Sequence, residues 1–295
     1  MAVPPKDDLG KDVLRDVSRS FYLTLRALPK GMREATSVGY LLARASDTIA
    51  DCGGAREARI ALLQDFRSAI ADGAGETFLH DASLITEDEA LKEGERVLMR
   101  RLGEVFAWAE NMQDWEQKAV RKVVTIITEG QLWDLERFPE GELVEIEEAS
   151  EAEQYCYQVA GCVGEFWTEI GFGSNSRFAN KSQEAMMNLG KDYGKGLQLI
   201  NILRDQSEDA ERGRKYLPGE LSVWTAKAQE NLQAGLEYSR AVRGWRARFA
   251  TVLPALIGLE TLSLFESASP EERAQGVKVS RKVVKSCLRK ALFFR

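Results

Sequence analysis

Four aspartates at helical spacing are the residues of this sequence best placed to do chemistry. Asp47 and Asp51 are four positions apart, and Asp205 and Asp209 repeat that spacing in a second segment. Residues four apart share one face of a helix, about 5 to 6 Å between Cβ atoms, where two carboxylates repel each other. A divalent cation with oxygen ligands removes the repulsion, and Mg²⁺ is the usual choice when the ion also bridges to phosphate. The spacing therefore indicates magnesium ligands.

Polar residues precede each aspartate pair on the same helical face. Tyr40 and Arg44 lie two turns and one turn before the first pair, and Gln198 and Asn201 stand in the same relation to the second. The two amides interrupt the apolar run "LQLINIL" at 197–203. Buried amide groups are costly without partners, so this pattern predicts a helix that lines a cavity.

Basic residues surround the second aspartate pair. Arg204, Arg212 and Arg214 lie among acidic residues that include Glu208. Groups that bind anions are thus mixed with groups that bind cations. Diphosphate together with Mg²⁺ is a ligand that uses both.

We call each aspartate pair, together with the polar residues that precede it on the same helical face, a stripe. Each stripe alone has a simpler interpretation. A single Asp-x-x-x-Asp is more often a solvated helix face, and "RDQSEDAERGR" at 204–214 is usually a helix end with ion pairs. Two such stripes, each with polar residues one and two turns upstream, rarely arise together. The pair therefore favours a binding site.

Composition excludes several classes of function. The chain has 295 residues, a net charge of −6 and no dominant basic tract, which argues against nucleic acid as a partner. One histidine and four cysteines without metal-type spacing argue against zinc and indicate a reducing compartment. We find neither a signal peptide nor a transmembrane segment, so we expect a cytoplasmic protein. The scattered cysteines are Cys52, Cys156, Cys162 and Cys287.

Apolar residues recur at three and four positions nearly throughout, which predicts an all-α fold with a single domain spanning 1–295. Residues 1–8 are expected to be flexible. Residues 280–295 form a basic amphipathic helix, for which docking on the body is favoured over a membrane surface. The predicted helices cover about 9–28, 31–51, 55–72, 87–110, 113–138, 147–171, 178–211, 219–243, 246–266 and 280–292.

Several segments resemble one known family. They are "SRSFYLTLRALP" at 18–29, "YLLARASDTIAD" at 40–51, "YCYQVAGCVG" at 155–164 and "NILRDQSEDAERGRKYLP" at 201–218. In order and spacing the chain resembles the squalene and phytoene synthase family, the head-to-head prenyltransferases, over almost its full length. The resemblance implies a helical bundle of the isoprenoid synthase type with a central apolar cavity and two aspartate-rich helices facing each other at its mouth.

The resemblance also implies a reaction and its residues. Two molecules of farnesyl diphosphate condense through presqualene diphosphate, with Mg²⁺ on the four aspartates and Tyr155 at the position assigned to proton removal. Gly161 and Gly164, beside that tyrosine, would let two helices or a prenyl chain approach closely. Positions matching diphosphate ligands are Ser18, Ser20, Tyr40, Arg44, Gln198, Asn201, Arg204 and Arg214. Positions matching NADPH ligands are Phe21, Tyr40, Arg44, Asn201, Lys278 and Arg281.

The product is less sharply indicated than the family. "DTIAD" and "YCYQVAG" look like squalene synthases, which reduce the intermediate with NADPH on the way to sterols or hopanoids, whereas "NILRDQSEDAERGRKYLP" is nearer the phytoene type. "VKVSR" at 277–281 keeps Lys278 but has Ser280 where a second basic residue is usual, with Arg281 next. Squalene formation is the leading hypothesis. A phytoene or dehydrosqualene synthase, an enzyme that hydrolyses or cyclises one prenyl diphosphate, and a non-catalytic helical module remain alternatives, and peripheral contact with the inner face of a membrane stays open.

Overall fold

A computed structural model describes residues 9–18 and 22–295 of the chain. The expected flexibility of residues 1–8 therefore lies outside the described residues. Helices make up nearly all of the regular structure, so the all-α prediction is confirmed. The chain divides into two compact units. The first comprises the described residues up to Arg26 together with Lys30–Glu136, and the second comprises Ala27–Pro29 with Arg137–Arg295.

The first unit holds the first aspartate pair on helix α3 (Lys30–Asp51). Five apolar side chains of this helix are at most 1% exposed: Val38, Leu41, Leu42, Ala45 and Ile49. Its helices are α1 (Leu14–Ser18), α2 (Tyr22–Ala27), α3 (Lys30–Asp51), α4 (Arg56–Asp72), α5 (Glu76–Leu84), α6 (Glu93–Arg100), α7 (Leu102–Glu110) and α8 (Asp114–Arg137), with a π turn at Leu9–Val13 and a 3₁₀ turn at Ile85–Glu87.

Three phenylalanines form the centre of the first unit's core. Phe66 of α4, Phe78 of α5 and Phe106 of α7 contact one another edge to face, with ring centroids 6.0 to 6.1 Å apart. Helix α5 was not predicted, because its sequence places few apolar residues at helical spacing. The predicted helix 87–110 is interrupted at Arg101, whose backbone leaves the helical region (φ −104°, ψ 12°).

The second unit holds the second aspartate pair on α11, its longest helix. The elements are β1 (Val144–Glu145), α9 (Ala149–Cys156), a π turn (Tyr157–Gly161), α10 (Cys162–Ser174), α11 (Gln183–Glu211), β2 (Arg214–Lys215), α12 (Leu221–Ala241), α13 (Trp245–Ser267), α14 (Pro270–Ala274) and α15 (Arg281–Leu292). β1 and β2 pair in parallel, with Val144 opposite Arg214 and Glu145 opposite Lys215. This short ladder fixes the backbone that follows α11.

Two glycines let α10 and α11 cross in backbone contact. A Cβ atom added to Gly164 would lie 1.8 Å from the carbonyl oxygen of Gly190, and one added to Gly190 would lie 2.6 Å from that of Gly164. No side chain fits at either position without moving a helix. The prediction that Gly164 allows two helices to approach closely is confirmed.

One helix bears on the expected absence of a transmembrane segment, which stays a prediction. Within the described residues, α13 (Trp245–Ser267) is long and apolar enough to cross a membrane, with a mean hydropathy of 1.4 over its best window. Half of that window is buried in the protein, as also happens in the core helix of a folded domain. The helix contains Pro254 and packs against α12 and α15.

Candidate functional site

Arg44 joins the polar stripe of α3 to a carboxylate on α6. Its guanidinium donates through one terminal nitrogen to Asp47 and through the other to Glu95, so the predicted proximity of Arg44 and Asp47 is confirmed. The carboxylates of Asp47 and Glu95 together offset the positive charge of the guanidinium. Charge-assisted hydrogen bonds of this kind are stronger than neutral ones, so the arginine is held in place.

Glu95 was missed by the sequence analysis. Its side chain is 10% exposed and also accepts the backbone N–H of Lys92 at 2.9 Å, at the start of α6. Burial would raise the pKa of this carboxyl, but the Lys92 N–H and the Arg44 guanidinium outweigh burial and lower it below its ordinary value. Glu95 therefore stays charged and positions Arg44. Glu95 is 51 positions from Arg44, and no local pattern announces the contact.

Asp47 carries an unusual protonation equilibrium. Desolvation by the surrounding protein and repulsion from Asp51 raise its pKa to about 6, against the opposing effect of Arg44. The side chain is nevertheless 42% exposed, and Asp51 is exposed as well. A carboxylate pair that repels yet remains accessible suits a cation ligand.

The other predicted residues of the first unit lie close to this stripe or outside the described residues. Tyr40 donates its hydroxyl to the carbonyl oxygen of Val17 at 3.2 Å, which ties α3 to α1. Ser18, 4% exposed, donates to the carbonyl oxygen of Leu14 in its own helix. Ser20 and Phe21 lie outside the described residues, so their predicted roles stay predictions.

The stripe on α11 begins with two amides and continues to a paired aspartate. Asn201 donates to Gln198 at 3.5 Å, and Arg204 forms two parallel hydrogen bonds with Asp205. The Asp205 hydrogen bond is the largest cause of a raised Arg204 pKa. Asp205 is 34% exposed, so the pair is open to a ligand on one side.

The two amides of α11 were expected to lie among buried apolar side chains, and they do not. Asn201 is exposed and Gln198 is half-buried, while Leu199, Ile200, Ile202 and Leu203 are at most 5% exposed. The 3.6-residue period places 198, 201 and 205 together, away from the buried positions. The helix therefore presents a polar face rather than burying isolated polar groups.

The end of α11 combines a solvated ion pair with an ordered turn. Arg212 pairs with Glu208 at 2.7 Å on the exposed surface, which agrees with the simpler interpretation of a charged helix end. Asp209 and Arg214 are half-buried, and Arg214 belongs to β2. The ladder therefore fixes the backbone of Arg214 just beyond the aspartates.

The aspartates form the kind of donor set that Mg²⁺ takes. Carboxylate oxygen is a hard ligand, and each helix offers two carboxylates on an accessible face. In neither unit do the described residues gather three or more histidine, cysteine, aspartate or glutamate side chains as a metal centre. The role of the four aspartates as magnesium ligands therefore stays a prediction.

Tyr155 is held by aromatic contacts in the second unit. Its ring stacks on Tyr216, with centroids 4.9 Å apart and an interplanar angle of 11°, and Tyr216 contacts Phe138 edge to face at 5.0 Å. The neighbouring Tyr157 lies in the π turn and donates to Glu165 at 3.1 Å. Burial, then the Glu165 charge, raises the Tyr157 pKa to about 12. Tyr216 was not singled out in the sequence, because its stacking partner is distant along the chain.

The predicted NADPH ligands Lys278 and Arg281 lie at the start of α15, and both are exposed. Ser280 accepts the backbone N–H of Val283 at 3.3 Å and is the N-cap of this helix. The serine that stands in the place of a second basic residue therefore has a structural role.

A second ion cluster, also missed by the sequence analysis, joins three helices beneath the amides of α11. Glu153 of α9 accepts from Lys195 of α11 at 2.9 Å and from Lys227 of α12. Lys195 is 15% exposed and lies one turn before Gln198. The cluster therefore fixes the part of α11 from which the polar stripe begins.

Comparison with known proteins identifies the class to which this fold and these stripes belong. The family model described as squalene/phytoene synthase matches residues 14–224, a range that contains both aspartate pairs and Tyr155. The chain belongs to the squalene/phytoene synthase family. The resemblance predicted from the sequence is thereby confirmed.

Individual relatives agree with the family. The chain is 33% identical over 205 residues to the presqualene diphosphate synthase of Rhodopseudomonas palustris, which covers 68% of this chain and 59% of the relative. It is 25% identical over 208 residues to the squalene synthase of Schizosaccharomyces pombe, covering 69% of this chain and 42% of the relative. The chain spans about half the length of several such relatives.

A solved structure supports the fold. The ligand complex of TcSQS superposes with a TM-score of 0.76 at 22% identity, covering 98% of this chain and 87% of that one. At this identity the likeness concerns the fold alone. The helical architecture predicted for the isoprenoid synthase type is therefore that of a known family structure.

Proposed function

We propose that this protein condenses two molecules of farnesyl diphosphate head to head, through presqualene diphosphate, and reduces the intermediate to squalene with NADPH. The observation that carries the proposal is the pair of arginine-bound aspartate stripes, Arg44 with Asp47 and Arg204 with Asp205, both inside the segment that matches the family. Family membership supports a transferase of isoprenoid synthesis. The substrate, the reductant and the metal are our proposals.

The arginines and the aspartates have different proposed roles in ionising the substrate. Mg²⁺, held by Asp47, Asp51, Asp205 and Asp209, would stabilise the negative charge of the departing diphosphate. Arg44 and Arg204 each form hydrogen bonds with an aspartate. When diphosphate binds, these guanidinium groups contact its oxygens, a bidentate geometry that arginine provides and lysine does not.

Tyr155 is the proposed relay for the proton lost when the cyclopropane ring closes, with the released diphosphate as the final base. After one diphosphate leaves, C1 of that allylic cation bonds to the double bond of the second molecule, and loss of a proton closes the ring. The stack on Tyr216 restricts the Tyr155 ring and directs its hydroxyl. A fixed acceptor at one position favours one of the competing proton losses.

A second candidate function stops at presqualene diphosphate. Two observations favour it: the 33% identical relative is a presqualene diphosphate synthase, and the proposed NADPH ligands Lys278 and Arg281 are exposed on an interrupted motif. Phytoene and dehydrosqualene synthases remain family alternatives without reduction. We propose a cytoplasmic location for any of these activities.

Product analysis tests the proposal. The purified protein is incubated with farnesyl diphosphate and Mg²⁺, with and without NADPH, and the products are identified by gas chromatography after dephosphorylation. Squalene that forms only with NADPH supports the leading proposal. Presqualene alcohol under both conditions supports the second candidate.

A parallel incubation with geranylgeranyl diphosphate separates the remaining alternatives. Phytoene from that substrate, or dehydrosqualene from farnesyl diphosphate, assigns the protein to those synthases. Diphosphate release with only fifteen-carbon products indicates hydrolysis or cyclisation. If neither substrate releases diphosphate above the buffer rate, the catalytic proposal is wrong and a non-catalytic module remains.

A further inference from the structure

One end of the second unit has an uncommonly basic surface. The segments 240–248 and 281–295 carry no acidic residue, although the whole chain has a net charge of −6. Together we call them the basic end. Its charged residues are Arg240, Arg243, Arg246, Arg248, Arg281, Lys282, Lys285, Arg289, Lys290 and Arg295.

Packing brings the two segments of the basic end together. The Arg240 guanidinium lies 5.4 Å from the ring centroid of Phe294, so the residues after α15 lie against the last turn of α12. Only three residues separate the end of α12 at Ala241 from Trp245, the first residue of α13. The Lys290 ammonium also pairs with Glu260 of α13 at 2.9 Å. The two segments of the basic end are therefore neighbours in the fold, although they are far apart in sequence.

Two acidic groups on the adjoining helices are paired with lysines. Glu237, on the turn of α12 before Arg240, accepts from Lys181 at 2.8 Å, and Glu260 accepts from Lys290. Among the remaining basic residues of the basic end, Arg243, Arg289 and Arg295 are exposed. Glu260 offsets the charge of Lys290, and the exposed arginines leave this surface positively charged.

Large apolar side chains stand among these charges. Trp245 is 64% exposed, Leu292 is 57% exposed and Phe293 is 82% exposed. Arg246 lies over the Trp245 ring at 5.4 Å. Exposed tryptophan and phenylalanine beside arginine are typical of surfaces that enter the region between lipid headgroups and acyl chains.

We infer that the basic end binds the surface of a membrane containing anionic lipid. Positive charge is attracted to anionic headgroups, and the three exposed apolar side chains gain by leaving water. A second copy of this chain that docked through its own basic end would bring a like-charged surface and be repelled. The basic end is separate from the residues assigned to substrate, metal or NADPH. It shares only Arg281 with them, and the other basic residues suffice for membrane binding.

Vesicle sedimentation tests the inference. The whole protein is mixed with vesicles of phosphatidylcholine alone or of phosphatidylcholine with phosphatidylglycerol, and the bound fraction is measured. We expect binding to the anionic vesicles at least about 10-fold stronger than to the neutral ones, lost when salt rises from about 0.1 M to about 1 M. Equal binding to both vesicles, or none to either, would overturn the inference.

Paired variants locate the binding surface. Arg243→Glu with Arg289→Glu should weaken anionic binding at least about 10-fold, and Trp245→Ser with Phe293→Ser should weaken it by a similar factor. The matched controls are Lys118→Glu with Arg121→Glu, exposed on α8, and Leu143→Ser, 65% exposed. If a control loses as much binding as its test variant, the basic end is not the surface.

Three further outcomes distinguish other partners. If detergent but not high salt releases the protein from the vesicles, the protein is inserted in the membrane. Surface binding would then be wrong, and α13 would be assigned as a membrane-spanning helix. Binding to duplex DNA without binding to vesicles would assign the charge to nucleic acid. Self-association abolished by Phe293→Ser, again without vesicle binding, would assign the surface to a dimer. Turnover of soluble substrate is measured on every variant, so failure of the proposed function is detected separately.

Discussion

Arg204 and Asp205, neighbours in sequence on α11, face each other through two parallel hydrogen bonds. Arg44 makes a corresponding contact with Asp47 on α3, three positions along its helix. In both stripes the first aspartate is thus paired with an arginine. A ligand that carries both a divalent cation and diphosphate offers each partner a replacement, since the cation takes the carboxylate and the diphosphate takes the guanidinium.

Replacing Tyr155 by phenylalanine separates its packing from its chemistry. The variant keeps the ring that stacks on Tyr216 but lacks the hydroxyl, so the protein should stay folded while presqualene diphosphate formation falls about 100-fold. Both are measured, by calorimetry and by product analysis. Tyr157→Phe, which loses the hydrogen bond to Glu165, serves as the control. Full turnover in Tyr155→Phe would exclude its hydroxyl from proton removal.

Glu95→Gln should loosen Arg44. The amide removes the charge that the guanidinium contacts, so the free energy of unfolding should fall by about 1 to 3 kcal/mol and the KM for the prenyl diphosphate should rise more than kcat falls. Urea unfolding and steady-state kinetics measure the two effects. Glu93→Gln, on the same helix but 71% exposed, should change stability by less than about 1 kcal/mol. Equal effects in both variants would contradict the positioning role.

The Glu153 cluster predicts a pH dependence of stability. Burial raises the pKa of this carboxyl, but hydrogen bonds from Lys227 and Lys195 outweigh it and lower the pKa below the ordinary 4.5. A carboxyl with a lowered folded pKa stabilises the protein above its unfolded pKa, and this stability is lost as the pH falls through the folded pKa.

Urea unfolding of the wild type and of Glu153→Gln therefore should differ most near neutral pH. The difference should shrink as the pH falls below about 4.5. Glu129→Gln, at an exposed position of α8, is the comparison for a general effect of removing a carboxylate. A difference that stays constant down to about pH 3 would show that Glu153 is not held by its lysines in the folded state.

Gly164→Ala tests the contact between α10 and α11. The added Cβ would meet the Gly190 carbonyl oxygen at 1.8 Å, so we expect a loss of about 3 kcal/mol or more in the free energy of unfolding. Gly75→Ala places a Cβ where no atom lies within 4 Å and should cost less than about 1 kcal/mol. Equal stability of the two variants would mean that the helices separate freely at Gly164.

Local periodicity predicted the parts of the site that lie on single helices. The spacing of Tyr40, Arg44 and Asp47 was enough to place them on one face, and the apolar positions of α3 are buried as expected. The same rule was applied too simply to Asn201, which lies on the exposed face of α11. A polar residue within an apolar run can face outward, because the run covers more than one side of the helix.

Contacts between distant segments could not be read from the sequence. Glu95 reaches Arg44 from another helix, and Glu153 meets Lys195 and Lys227 from positions 42 and 74 residues away. Nothing in the spacing of these residues marks such pairs, because their proximity is created by the packing of whole helices. The basic end is a similar case, since its two segments meet only in the fold.

The central claim is that the two aspartate stripes together ionise a prenyl diphosphate, and diphosphate release tests it most directly. Release from farnesyl diphosphate with Mg²⁺ is measured for Asp47→Asn, Asp205→Asn and the control Asp65→Asn, an exposed position of α4. The account predicts a fall of about 1,000-fold in each stripe variant at unchanged folded fraction, and full activity in the control. Wild-type rates in either stripe variant would contradict it.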